Sequence, residues 1–284
     1  MGENMGIRLG YIGNSKILSN CSTDRTVSVL ALNNIESTDK KINKLRKVAK
    51  SNILNTLKVL QNNEKLGIKI YGLSPRLFPL ANYPDAEYFR YIDTLKTELN
   101  ELGEYIKQND FRVNIHLEGT IMLNALSDKL YQDALKNIQY QNVLLNSLGL
   151  DEKAKIIVNL GGAYTNKNDA IERFKITFSD LDEAIRKRIV LNNSDNSIDV
   201  ESTLKVCEEF SIPYYLNANV GGIDKKLIDK CTKSWERTDL PALLGLSSNG
   251  SLVKIAGLNK NLDVILNTTE KDKDILKMTK NNFF

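Results

Sequence analysis

Eight short apolar runs, each separated from the next by a longer, mostly amphipathic stretch, constrain this chain more than any other feature. The runs are Ile7–Tyr11, Ile68–Gly72, Arg112–His116, Lys155–Asn159, Arg188–Asn192, Ile212–Asn217, Ala242–Leu246 and Leu262–Asn267. Their apolar continuity suits strands buried on both faces, and the helices between them act as crossovers that keep such strands parallel. Eight strands in such a series close into a barrel, so an α/β fold of the single (β/α)8 TIM-barrel type is the expected architecture. A doubly wound open sheet is the alternative.

The connecting stretches carry apolar residues at three-to-four spacing, as in Leu130, Ala134, Ile138, Val143 and Leu144, and this predicts helices. They span Asp39–Asn63, Asp85–Gln108, Leu126–Leu148, Lys167–Leu181, Val200–Phe210 and Asp224–Lys233, with a short final helix over Lys271–Thr279. Asp199 stands where an N-cap is wanted, and Gly67 and Gly149 stand where helices close in a left-handed turn. No linker rich in Pro, Gly or Ser interrupts the series. Residues 1–6 therefore read as a tail and residues 7–284 as one domain. The Gly- and Ser-rich stretch 247–260 makes the last unit irregular.

Composition narrows the function only slightly. A net charge of +4 permits contact with nucleic acid without requiring it. The densest basic cluster, Lys40, Lys41, Lys44, Arg46, Lys47 and Lys50, falls on a predicted helix and reads as a solvated face. Cys21, Cys207 and Cys231 have no metal-like spacing and fit a reducing compartment. No apolar run approaches the roughly 18 residues of a membrane span. The expectation is a cytoplasmic protein with no membrane partner.

Four of the strands end in asparagine: Asn159, Asn192, Asn217 and Asn267. Barrels of this kind place their chemistry at the carboxyl ends of the strands. The other candidates there are Tyr11 with Asn14, Ser74, His116 with Glu118, Ser247, and Tyr164 in the turn Leu160-Gly161-Gly162-Ala163-Tyr164. Any one of them is explained as a cap or turn residue. Together, closure of a barrel brings them to one mouth. His116 is the only histidine, which excludes a His-rich zinc site. It reads as a hydrogen-bonded strand-end residue, with general base as the other role.

The order of motifs resembles the UV-damage endonucleases, metal-dependent barrel enzymes of DNA repair. Ile7-Arg8-Leu9-Gly10-Tyr11 with Asn14 is similar to that family's first strand, and Leu73-Ser74-Pro75-Arg76-Leu77-Phe78-Pro79-Leu80 to its second strand and loop. Asn159-Leu160-Gly161-Gly162-Ala163-Tyr164 matches a family signature whose first residue is histidine, and Leu246-Ser247-Ser248 is similar to the end of the seventh strand. These matches extend from residue 7 to about residue 270, nearly the whole chain.

What the resemblance implies is a nuclease that cuts DNA beside ultraviolet photoproducts with divalent metals such as manganese. Its metal-binding positions fall here on His116, Asn159, Asn192, Asn217, Gly245 and Asn267, with further ones at Tyr83, Val220 and Leu243. The residue pair that such enzymes push into damaged DNA falls at Gly119-Thr120. Asparagine offers a neutral carbonyl, and glycine or leucine side chains offer nothing. Two unit charges 4 Å apart repel by roughly 4 kcal/mol at an effective dielectric of about 20, so a metal cluster needs carboxylates to stay together.

The leading expectation is therefore a metal-free member, with no cofactor and no intact catalytic residues, acting in binding or regulation. Its partners would be DNA, a small neutral ligand or another protein. The alternative is an active endonuclease with a rearranged metal site built on His116 and Glu118, with Asp195 as a further carboxylate. An unrelated metal-free barrel enzyme using His116 or Glu118 as base, and a structural protein with a disused mouth, complete the set.

Overall fold

The strands pair in parallel, in the order β5-β4-β3-β2-β1-β8-β7-β6. They are β1 (Ile7–Ile12), β2 (Ile70–Leu73), β3 (Arg112–His116), β4 (Lys155–Asn159), β5 (Ile189–Asn192), β6 (Leu216–Asn217), β7 (Ala242–Leu246) and β8 (Leu262–Leu266). A single bridge, Leu191 beside Tyr214, joins the ends of this order and closes the ring. The computed structural model describes residues 6–82, 92–164, 166–192, 197–218, 224–247, 255 and 261–280. The fold is the expected (β/α)8 barrel rather than an open sheet.

Around the barrel lie α1 (Val29–Asn33), α2 (Thr38–Lys65), α3 (Lys96–Gln108), α4 (Asp128–Ser147), α5 (Lys167–Ser179), α6 (Glu183–Arg186), α7 (Val200–Phe210), α8 (Lys225–Trp235) and α9 (Asp272–Lys280). Local chemistry sets their ends. Asp199 caps α7 by accepting from the Ser202 amide at 2.8 Å, as its position suggested, and Asp224 caps α8 through Leu227 N at 2.7 Å. Gly67 and Gly149 adopt φ of 72° and 66°, the left-handed closure expected of them. The predicted helix from Asp85 is described only from residue 92, where a 3-10 turn leads into α3. The short helices α1 and α6 carry too few residues for periodicity to reveal them.

Strand six is shorter than its apolar run, because Pro213 lacks the N–H a ladder needs. Its carbonyl instead accepts from Leu191 N at 3.0 Å, and Tyr215 N donates to Leu191 O at 2.8 Å.

The register decides which side chains face the interior. Arg8 pairs with Asp263, Gly10 with Ile265 and Ile70, and Gly72 with Asn114. Arg112, Asn114 and His116 therefore point inward from β3, one above another, and Asn159, Asn192, Tyr215, Asn217, Gly245 and Asn267 belong to the same inward set.

At the amino-terminal end of the barrel the fully buried Asp263 carboxylate accepts from Arg8 Nε at 2.7 Å, from Arg8 Nη2 at 2.8 Å and from Arg112 Nη1. Arg112 also donates to Pro241 O at 2.7 Å and lies 4.8 Å over the Trp235 ring. This ionic layer plugs the floor and leaves the opposite end as the mouth.

Candidate functional site

The mouth is built mainly of amides. Asn159 and Asn192 are register partners at the ends of β4 and β5, and Asn192 Nδ2 donates to Asn159 Oδ1 at 2.9 Å. Asn159 Nδ2 reaches Leu117 O at 3.4 Å. The outer oxygen of Asn192 is buried without a partner. Below them, Asn114 is 1 % exposed, and neither atom of its amide is hydrogen-bonded.

His116 differs from its expected role. Its ring packs edge-on against Tyr215, with centroids 4.9 Å apart, and Nε2 is buried with no hydrogen-bond partner. Burial pushes the imidazole down to about 3, so it is neutral at physiological pH. A strand-end position alone could not reveal this, because the neighbour that shields the ring, Tyr215, comes from the segment leading into β6.

The Tyr215 side chain is the residue that sequence reasoning missed. It is 2 % exposed, and burial holds its phenol well above the usual range. A Cβ placed on Gly245 would lie 2.1 Å from the Tyr215 hydroxyl oxygen, 2.8 Å from Cζ and 2.9 Å from Asn267 Nδ2. The glycine is thus the space into which the phenol fits. No sequence signal marks this contact: it follows from the pairing of Asn217 with Gly245, two residues beyond Tyr215, which only the folded barrel brings about.

The remaining candidates divide. Asn217 is half-buried in the mouth, and Asn267 is exposed at its edge with its amide beside Tyr215. Tyr11 is not a mouth residue: its hydroxyl donates to Asn63 Oδ1 on α2 at 2.8 Å, and its ring packs edge-on against Tyr71. Asn14 is committed to the β1 loop, donating to Asp24 at 2.8 Å and accepting from Thr23 N at 2.7 Å. Glu118 is exposed on the rim, 3.6 Å from Arg76, which also reaches Asp24 at 3.4 Å. Tyr164 is 52 % exposed with φ of 49° and has the Arg173 guanidinium 5.9 Å from its ring centre. Tyr83, Asp195, Val220 and Ser248 lie outside the described residues.

The donor set does not suit a divalent cluster. Among the described residues no group of three or more His, Cys, Asp or Glu side chains comes together. At the mouth the described inward positions hold neutral amides, one uncharged imidazole and a phenol whose hydroxyl fills the space above Gly245.

A parallel eight-stranded barrel with a polar mouth defines the class: a TIM-barrel protein with its candidate site at the carboxyl ends of the strands. The chain belongs to the UV-endonuclease UvdE family, whose profile matches residues 7–282. It is similar to the UV DNA damage endonuclease of Bacillus velezensis, 25 % identical over 300 residues that cover 96 % of this chain and 93 % of that protein. The Halalkalibacterium halodurans UV DNA damage endonuclease is 26 % identical over 250 residues, covering 86 % and 78 % of the two chains. In fold it matches the crystal structure of SacUVDE with a TM-score of 0.86, at 22 % identity over 98 % of this chain and 100 % of that one. A 3-keto-D-glucoside 4-epimerase from E. coli shares the barrel more loosely, with a TM-score of 0.55 at 8 % identity and coverage of 97 % and 98 %.

Proposed function

We propose that this chain is a metal-free member of its family, one that engages DNA or a small neutral ligand at the barrel mouth and does not cut the phosphodiester backbone. The observation that carries the reading is the fit of Tyr215 over Gly245. The resemblance puts a metal-binding side chain at position 245. Here any side chain at that position meets the phenol, so the loss is one of space as well as of donors.

Two further features support it. Asn159 and Asn192 spend their facing atoms on each other, which leaves one carbonyl oxygen at the family's metal positions on those two strands. Glu118, the carboxylate nearest His116 in sequence, is turned to Arg76 on the exposed rim. Without a metal there is no activated hydroxide and no clamp on a leaving oxygen. The amides that remain both donate and accept, as a neutral ligand requires.

DNA as the partner is supported by the family to which the chain belongs and by cationic groups beside the mouth. Arg76 stands on the rim, and Lys271 donates to Ile12 O at 2.8 Å at the end of β1. Such contacts are electrostatic, so affinity should fall steeply with salt.

The test is a nicking assay on ultraviolet-treated duplex DNA with manganese present, beside metal analysis of the purified chain. The expected result is no cleavage, no stoichiometric metal, and salt-sensitive binding by fluorescence anisotropy. Cleavage, or manganese bound at about two per chain, would overturn the proposal. It would favour the alternative, an active endonuclease with a rearranged site at His116 and Glu118.

A further inference from the structure

We infer that the floor of the barrel, at the end opposite the mouth, is a second binding site that takes a small free oxyanion of phosphate size. Three observations carry this. The first is an imbalance among the buried charges at this end of the barrel. Arg112, Lys155 and Arg188 are all buried and Arg8 is half-buried, yet among the described residues Asp263 is the one buried carboxylate at this end. Lys155 Nζ and the Arg188 guanidinium spend their hydrogen bonds largely on backbone carbonyls, namely Lys187 O at 2.7 Å for the lysine and Leu150 O at 2.7 Å and Ala154 O at 3.0 Å for the arginine. Carbonyl dipoles solvate these cations without cancelling their charge.

The second is an unused donor. Arg112 gives Nη1 to Asp263 and to Pro241 O, while its Nη2 is buried with no partner. A buried guanidinium normally has its fork of N–H donors filled, and an oxyanion is the group that matches this geometry.

The third is a cavity of about 260 Å³ that Arg112 lines together with Arg8, Lys153 and Lys107, the last of them paired with Glu104 at 2.5 Å. Since a water molecule takes up about 30 Å³ in the liquid, this space admits a phosphate with part of its hydration shell. Gly149 keeps one wall low: a Cβ there would stand 3.4 Å from Lys107 Nζ, and its left-handed φ of 66° disfavours any other residue. Asp110 and Asp151 also line the cavity, and both are exposed. Their carboxylates repel any anion, so the size of the cavity and the unfilled Arg112 donor, not a net positive lining, are what favour a compact one.

The experiment uses the full chain. Inorganic phosphate, acetate and chloride are compared at matched ionic strength by thermal unfolding, and phosphate is titrated by calorimetry. Phosphate should raise the unfolding midpoint more than the other two, with saturation. Arg112 holds Asp263 in place, so its replacement confounds binding with folding. The informative variant is Lys107→Glu with Lys153→Glu, both on exposed side chains, and it should weaken phosphate affinity by roughly tenfold or more. Equal effects of phosphate and chloride, or an unchanged affinity in the double variant, would sink the proposal. Loss of duplex DNA binding in that variant would also overturn it, by making the floor a DNA surface, whereas the proposed function at the mouth leaves DNA binding there intact.

Discussion

Replacing Gly245 with alanine tests the packing on which the functional reading depends, and the sign of the outcome decides it. In an ordinary strand interior this change stabilises by about 0.5–1 kcal/mol, because glycine loses more conformational freedom on folding than alanine does. Here the new methyl group would stand 2.1 Å from the Tyr215 hydroxyl oxygen and 2.8 Å from Cζ. Neither approach is tolerable, so the phenol must move away from a ring contact with His116 whose centroids are 4.9 Å apart. Overpacking of this kind costs about 1–3 kcal/mol, a net shift of roughly 1.5–4 kcal/mol from the ordinary expectation. Urea unfolding followed by circular dichroism measures it, provided the slope with denaturant stays that of the parent.

The double variant completes the cycle. Tyr215→Phe removes the closer contact together with a hydroxyl whose one neighbouring polar group is the Asn267 amide, so alone it should cost about 1 kcal/mol. In that background Gly245→Ala should lose more than half of its cost, with a remainder from the ring carbon. If Gly245→Ala is neutral or stabilising, or costs the same with phenylalanine at 215, the phenol does not occupy that space and the argument fails.

Other outcomes follow from the same geometry. Asp263→Asn leaves Arg8 and Arg112 without their shared carboxylate and should destabilise by about 3–5 kcal/mol in the same urea assay. Burial lowers Lys155 to about 8. Between pH 8 and the ordinary lysine value of 10.5 the unfolded chain therefore binds more protons, and stability should rise with pH across that window. Lys155→Met should flatten the rise and add on the order of 1–2 kcal/mol at pH 7, a figure reduced for partial solvation. Asn159→His alone should restore no nicking of ultraviolet-treated DNA in manganese, because Asn192, Asn217, Gly245 and Asn267 still offer no charge. Recovery of cleavage by that one change would show that the metal positions were wrongly assigned.

Much of the fold was legible because alternating short apolar runs and helices leave few ways to bury both faces of the strands. The asparagines could be placed at one mouth for the same reason: each ends a strand, and closure brings those ends together. Tyr11 points away from the mouth on a matter of parity. In a strand buried on both faces the apolar run is continuous, so the sequence does not mark which alternate set points inward. The register of Arg8 with Asp263 fixes that choice, and the partner residue lies 255 positions away in sequence. Tyr215 escaped for a related reason, since its role depends on an absent side chain at Gly245. Asn114 carries no sequence mark beyond its place in a strand, and its lack of partners follows from what the opposite strands fail to supply.

The closure of the ring between β5 and β6 has a mechanical consequence. Seven of the eight seams are ladders, whereas this one rests on two backbone hydrogen bonds beside a proline. A hoop with one weak joint spreads at that joint first, and the two staves beside it carry Asn192 on one side and Tyr215 with Asn217 on the other. The mouth is therefore hinged where its polar lining is divided. Widening it separates those side chains while the Asn159–Asn192 amide pair travels as a unit on its own side, so an incoming guest would part the lining along a line the backbone already provides.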